Sequence, residues 1–112
     1  MVPTLYASGT TTPTLNTETF LSSPNAAGTF VFEIDTTNMA SGDSLTINIY
    51  STVLSGGNPD LLYTWALTNA QSAPVWISVP VPNDLAATNA LRFSINQTAG
   101  TARAYAWKVL QL

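Results

Sequence analysis

Histidine and cysteine are both absent from the 112 residues, and charge is scarce, with three Lys or Arg and six Asp or Glu. Without histidine a serine nucleophile has no ordinary general base, which removes Ser-His-Asp hydrolysis and its Cys-His variants. Without cysteine there is no disulfide framework and no thiolate metal site. Arg92, Arg103 and Lys108, at a net charge of -3, cannot build the basic stripe that neutralises phosphates, so nucleic acid is not an expected partner. No apolar run approaches the roughly 18 residues of a membrane span, so no membrane is expected as a partner either. Met1 to Thr12, MVPTLYASGTTT, has neither a basic n-region nor an apolar h-region, and no secretory signal is expected there.

The charged share is 8%, against roughly 25% in an ordinary soluble domain, and 17 Thr, 10 Ser, 9 Asn and 3 Gln supply the missing polarity. Hydrophobic residues make up 46%, enough for a single core in a chain of this length. Their order is that of strands. Phe30, Phe32 and Ile34 alternate with Thr29, Val31, Glu33 and Asp35, and Leu45, Ile47 and Ile49 alternate with Thr46, Asn48 and Tyr50. Leu61, Tyr63, Trp65 and Leu67 alternate with Leu62, Thr64, Ala66 and Thr68, a pattern compatible with cover on both faces. Three further stripes follow, Val75-Ile77-Val79-Val81, Leu91-Phe93-Ile95 and Tyr105-Trp107-Val109. The turn clusters Ala40 to Asp43, Ser55 to Asp60, Pro82 to Asp84 and Ala99-Gly100 separate them. Pro74, Pro80 and Pro82 mark an edge strand or a bulge, because proline cannot donate to a ladder. Thr36 to Ala40 permits a single helical turn. The expected fold is all-β, a single antiparallel β-sandwich or jelly-roll-like domain of about eight strands over residues 1–112. Residues 1–25, rich in threonine, suit either two ordinary strands or an extended N-terminal arm that pairs with a neighbouring subunit.

Candidate chemistry is thin. Glu33 and Asp35 project from one strand face about 7 Å apart, a spacing at which two carboxylates could share acid and base work, but a solvated strand face accounts for them more simply. Asp43, Asp60 and Asp84 each sit alone in a turn, where calcium would want several carboxylates together. No catalytic residue, cofactor or metal is expected. Arg103, beside Tyr105 and Trp107, can stack or reach a carboxylate across the sandwich. Asn96-Gln97-Thr98 matches a glycosylation sequon, read as a chance match without a leader. Trp65 and Trp107 lie in core-facing stripes. Trp76 and Tyr50 oppose the apolar stripes of their strands and are the better candidates for a subunit interface, which is rich in aromatics.

Three segments are more specific: Met39-Ala40-Ser41-Gly42-Asp43-Ser44-Leu45-Thr46-Ile47-Asn48-Ile49-Tyr50, Val53-Leu54-Ser55-Gly56-Gly57, and Gln97 to Leu110, QTAGTARAYAWKVL. Over about residues 28 to 112 the chain resembles small proteins encoded among the structural genes of tailed bacteriophages, including capsid-associated ones. The resemblance implies a virion protein with a β-sandwich or jelly-roll fold and no enzymatic residues to transfer. The expectation is then a capsid decoration, or cement, protein on the outer head surface. It would be made in the host cytoplasm, with the major capsid protein and itself, as a homotrimer, for partners. Val2, Leu5, Tyr6, Leu15 and Phe20 of the N-terminal segment, with Tyr50 and Trp76, are the expected interface residues. A carbohydrate- or receptor-binding module of a phage tail or fibre is the alternative.

Overall fold

Successive side chains of a strand point to opposite faces, so Phe30, Phe32 and Ile34 share one side of an extended segment; in the computed structural model all three are fully buried. The structure describes residues 2–54, 56–84 and 90–112. Along them run β1 (Thr4–Thr11), β2 (Thr19–Ser22), β3 (Gly28–Asp35), β4 (Ser44–Ser51), β5 (Asp60–Thr68), β6 (Val75–Ile77), β7 (Val81–Asn83), β8 (Leu91–Ala99) and β9 (Tyr105–Gln111). Among the described residues there is no helix. Thr36 to Met39 makes a β-turn, with the Met39 N–H donating to the Thr36 carbonyl at 3.0 Å.

Two antiparallel sheets pack face to face. One has the order β1-β9-β3-β6, with β7 also on β3, and the other β2-β8-β4-β5. Since β6 and β7 pair with opposite ends of β3, they act as one interrupted strand, which leaves eight. An order in which sequence neighbours alternate between the sheets in this way is that of a jelly roll, two Greek keys wound across a sandwich. β1 and β2 pair with β9 and β8 of the same chain.

The core is the sum of the inner stripes: Phe30, Phe32 and Ile34 from β3, Leu45, Ile47 and Ile49 from β4, Leu91, Phe93 and Ile95 from β8, and Tyr105 and Val109 from β9. Phe32 meets Phe93 across the sheets at 4.7 Å between ring centroids. Trp107 is half-buried against this core, its Nε1 donating to Thr11 Oγ1 at 3.0 Å. Its ring lies over Gly9, where a Cβ would come within 3.0 Å of it.

The stripe from Val75 to Val81 is not as the alternation suggests. Ile34 sits opposite Trp76, and Glu33 and Asp35 sit opposite Ile77 and Val75. Cross-strand partners share a face, so Trp76 turns inward and Val75 and Ile77 turn out, each more than half exposed. Between β6 and β7 the chain leaves regular pairing. Ser78 substitutes for a ladder residue there, its N–H donating to the Phe32 carbonyl at 2.8 Å and its Oγ accepting from the Phe32 N–H at 2.9 Å. That irregularity resets the parity, so Val81, opposite Phe30, is buried. The three prolines thus do mark an interrupted edge.

Candidate interaction surface

β5 and β6 end their respective sheets on the same side of the sandwich, and β6 with its three residues is too short to cover β5. Between them opens an apolar cleft of about 520 Å³ with Ile47 and Ile49 at its floor and Tyr63, Trp65 and Trp76 on its walls. Pairing with Ile49 and Ile47 aims Tyr63 and Trp65 toward the sandwich interior, yet they remain 47% and 56% exposed, since no strand among the described residues lies over them. This corrects two expectations. Trp65 is not a core residue, and β5 is exposed along both faces rather than covered, with Leu61 and Leu62 also about half in water. Val75, Ile77 and Val79 extend the same apolar rim.

The opposite side of the sandwich, formed by β1 and β2, also exposes apolar side chains. Val2 is 84% exposed, and Leu5, Leu15 and Phe20 are exposed with it. Of the remaining residues singled out in the sequence, Tyr6 packs edge-on against Phe30 at 5.2 Å and donates from its hydroxyl to Asn25 Oδ1 at 2.6 Å. Tyr50 is half-buried under Phe20, ring centroids 5.9 Å apart, while the Arg92 guanidinium lies 5.4 Å from the Phe20 ring. Trp76 is half-buried against the core. Leu5 and Phe20 therefore stand on the two edge strands of one side, Leu5 on the outer face of its sheet beside Leu110 and Phe20 on the outer face of the other sheet over Tyr50, and Trp76 stands on the edge strand of the opposite side.

Two polar clusters escaped the sequence reading. Glu18 lies over the outer face of the β2-β8-β4-β5 sheet, where its Oε2 accepts from the hydroxyls of Tyr50 at 2.6 Å and Ser94 at 2.7 Å and from Asn48 Nδ2 at 3.1 Å. Burial pushes its carboxyl up, but hydrogen bonds from Tyr50, Ser94 and Asn48 outweigh that and hold it below the ordinary value. The same contact, first of all, with burial and the Glu18 charge behind it, raises the Tyr50 phenol to about 12.

Asp43 is 1% exposed and joins three loops at one end of the sandwich. Its Oδ2 accepts from the Ala40 N–H and from Arg103 Nε, both at 2.9 Å, and its Oδ1 from the Thr101 N–H at 3.0 Å. Its carbonyl accepts from the Asn69 N–H. Gly100, at φ 86°, passes so close that a Cβ there would collide with the carboxylate. Gln97, also buried, accepts from the Tyr105 hydroxyl at 3.0 Å and the Arg103 N–H at 3.2 Å, and donates to the carbonyls of Thr101 and Ala99. The Ala40 N–H and then Arg103 are the main reasons the Asp43 carboxyl is held low. Burial, with the nearby Asp43 charge, raises the Tyr105 phenol to about 12. Arg103 thus reaches a carboxylate, one of the two roles its position allows. Every oxygen of this carboxylate is taken by the chain itself, so the cluster is a structural tie.

Glu33 and Asp35 share the outer face of β3 and line one depression of about 480 Å³ together with Lys108. Glu33 faces Lys108 Nζ at 3.6 Å, and Asp35 is held low by the Thr37 hydroxyl and N–H. No three His, Cys, Asp or Glu side chains among the described residues are placed to hold a metal ion. No family model, curated protein or solved structure matches this chain. Its function is therefore read from its surfaces, and these can bind by apolar contact and by a free sheet edge.

Proposed function

We propose that the protein is a capsid decoration protein, which binds the outer surface of a bacteriophage head and ties neighbouring capsid subunits together. The observation that carries this reading is the set of exposed apolar side chains on the edge strands at both sides of one small sandwich: Leu5 and Phe20 on β1 and β2, Tyr63, Trp65 and Ile77 on β5 and β6. A cement protein must touch two bodies at once, and several modest contacts engaged together outlast any one of them. Contacts with few ion pairs are also little weakened by salt, which suits a particle released into varied media. The resemblance of residues 28–112 to small virion proteins supports the same reading, with the major capsid protein as the partner.

Co-sedimentation of the purified chain with heads that lack it tests this. Deleting residues 2–22 is a poor probe, because it would remove β1 and β2, the edges of both sheets. Leu5→Glu and Phe20→Glu instead alter exposed side chains of folded strands. Saturable binding, weakened at least tenfold in the double variant, is the expected result. Absence of saturable binding by the wild-type chain would sink the proposal.

One observation favours a second reading, a carbohydrate-binding module: the aromatic walls Tyr63, Trp65 and Trp76 of the cleft. Binding to an oligosaccharide array, abolished by Trp65→Ala, is the result that would select it.

A further inference from the structure

Four strands lie at the ends of the two sheets, and three of them are blunted against pairing with another chain. β2 is four residues long with an irregularity between Phe20 and Ser22, β1 is broken in register between Leu5 and Ala7, and the β6–β7 edge is interrupted and carries Pro80 and Pro82. Short strands, bulges and prolines are how soluble proteins keep sheet edges from joining. β5 has almost none of these devices. It is nine residues long, contains no proline, glycine, lysine or arginine, and its sole charge, Asp60, stands at its first position. Its register on β4 shifts near Leu62 and is then regular from Tyr63 to Thr68.

We propose that β5 pairs antiparallel with β5 of a second copy of this chain, across a two-fold axis near Thr64, so that two four-stranded sheets become one of eight. This deepens the reading above by naming what occupies one of the two sides. The sequence Leu61-Leu62-Tyr63-Thr64-Trp65-Ala66-Leu67 is nearly self-complementary about Thr64. Two-fold pairing sets Tyr63 opposite the second copy's Trp65, and the reverse, making two aromatic pairs on one face. It sets Leu62 opposite Ala66. The two Asp60 carboxylates fall at opposite ends of the paired strands, roughly 27 Å apart at ~3.4 Å per residue, so no like charges meet.

Four apolar side chains of β5, Leu61, Leu62, Tyr63 and Trp65, are each about half in water. Pairing covers them together with the unpaired backbone N–H and C=O groups of an edge strand, so main-chain hydrogen bonds and the aromatic pairs hold the contact jointly. An isologous contact of this kind closes as a dimer, not as the trimer expected from the three-fold positions of a head lattice. The dimer leaves both β1/β2 edges free, facing away from the junction, to meet the capsid.

The test is the solution mass of the full chain by light scattering over a dilution series, with Thr64→Lys and Thr64→Glu beside the wild type. Thr64 is exposed and lies opposite Asn48 on the outer sheet face, so neither variant disturbs the core, which circular dichroism checks. The wild type is expected at twice 11.9 kDa. Each variant, with like charges at the axis, is expected to dissociate at least ~100-fold more readily. An equimolar mixture of the two, with opposite charges there, is expected to dimerise again. A wild type that stays monomeric, a trimer, or a dimer indifferent to both variants would each overturn the proposal. So would a monomer whose head binding is lost with Thr64→Lys, which would give the edge to a capsid strand. Mass is measured without heads, so self-pairing and head binding can fail independently.

Discussion

Asp43 shows how a chain with so few charges uses one. A carboxylate with 1% exposure is tolerable only when its lone pairs are filled, and here two backbone N–H groups and Arg103 fill them. The turn elements Gly42-Asp43 and Thr98-Ala99-Gly100-Thr101-Ala102-Arg103 meet in this one network. The network is a loop tie that fixes one end of the sandwich. Asp43→Asn keeps the shape but removes the charge and one acceptor oxygen, and replaces the latter with a donor facing donors. It is expected to lower the urea midpoint clearly at pH 7. Because the carboxyl is held below its ordinary value of 3.8 in the folded chain, the wild-type advantage exists above that pH and shrinks as pH falls below it. Urea titrations of both proteins at pH 7 and pH 3 should show the gap narrowing; an equal gap at both would remove the charge from the explanation.

At the scale of elements, β3 depends on Ser78. Phe32 has one neighbour in β9, and on its other side the chain between β6 and β7 supplies a side-chain oxygen where a strand would supply a carbonyl. Ser78→Ala leaves the N–H of a fully buried residue without its acceptor, and a cost of about 1–3 kcal/mol is expected, measurable as a lower urea midpoint at unchanged slope. Ser78→Thr, which keeps the hydroxyl, should lose less. This element also marks the boundary of what periodicity can tell. The stripes of β3, β4 and β8 were legible because β4 and β8 pair in continuous register from Leu45 to Ile49 and the inner faces are covered, so alternation and burial coincide. The stripe of Val75, Ile77, Val79 and Val81 looked the same, but an irregularity at Ser78 to Pro80 shifts parity, so that Trp76 and Val81 face inward while Val75, Ile77 and Val79 are exposed. Trp65 shows a different gap. Its face was read correctly, since it pairs with Ile47, but a period says which way a side chain points and not whether another strand lies over it. Glu18 had no signal at all, because its partners Asn48, Tyr50 and Ser94 are 30, 32 and 76 residues away.

For the whole molecule, the missing residue types set how stability responds to pH. Histidine and cysteine, whose ordinary pKa values fall between about 6 and 9, are absent, so no side chain of that kind couples folding to pH there. On the acid side, Glu18, Asp35 and Asp43 are all held below their ordinary values of 4.5, 3.8 and 3.8. A lowered folded value means that the unfolded chain binds more protons over that interval, so stability is present above about pH 4.5 and is lost progressively below it. On the alkaline side the sign is reversed. Tyr50 and Tyr105 are raised from 10.0 to about 12, so the folded chain keeps protons that the unfolded chain has released. Stability from these phenols is fully present below pH 10 and disappears as pH climbs toward 12. Unfolding midpoints measured from pH 2 to pH 12 should therefore trace a broad plateau with a shoulder at each end. An inflection between pH 6 and 9 would contradict this account, since the described structure holds no side chain to produce one. Glu18→Gln should move only the Tyr50 part of the alkaline shoulder, seen as earlier phenolate absorbance, because Tyr105 owes its shift to burial and to Asp43 at the other cluster.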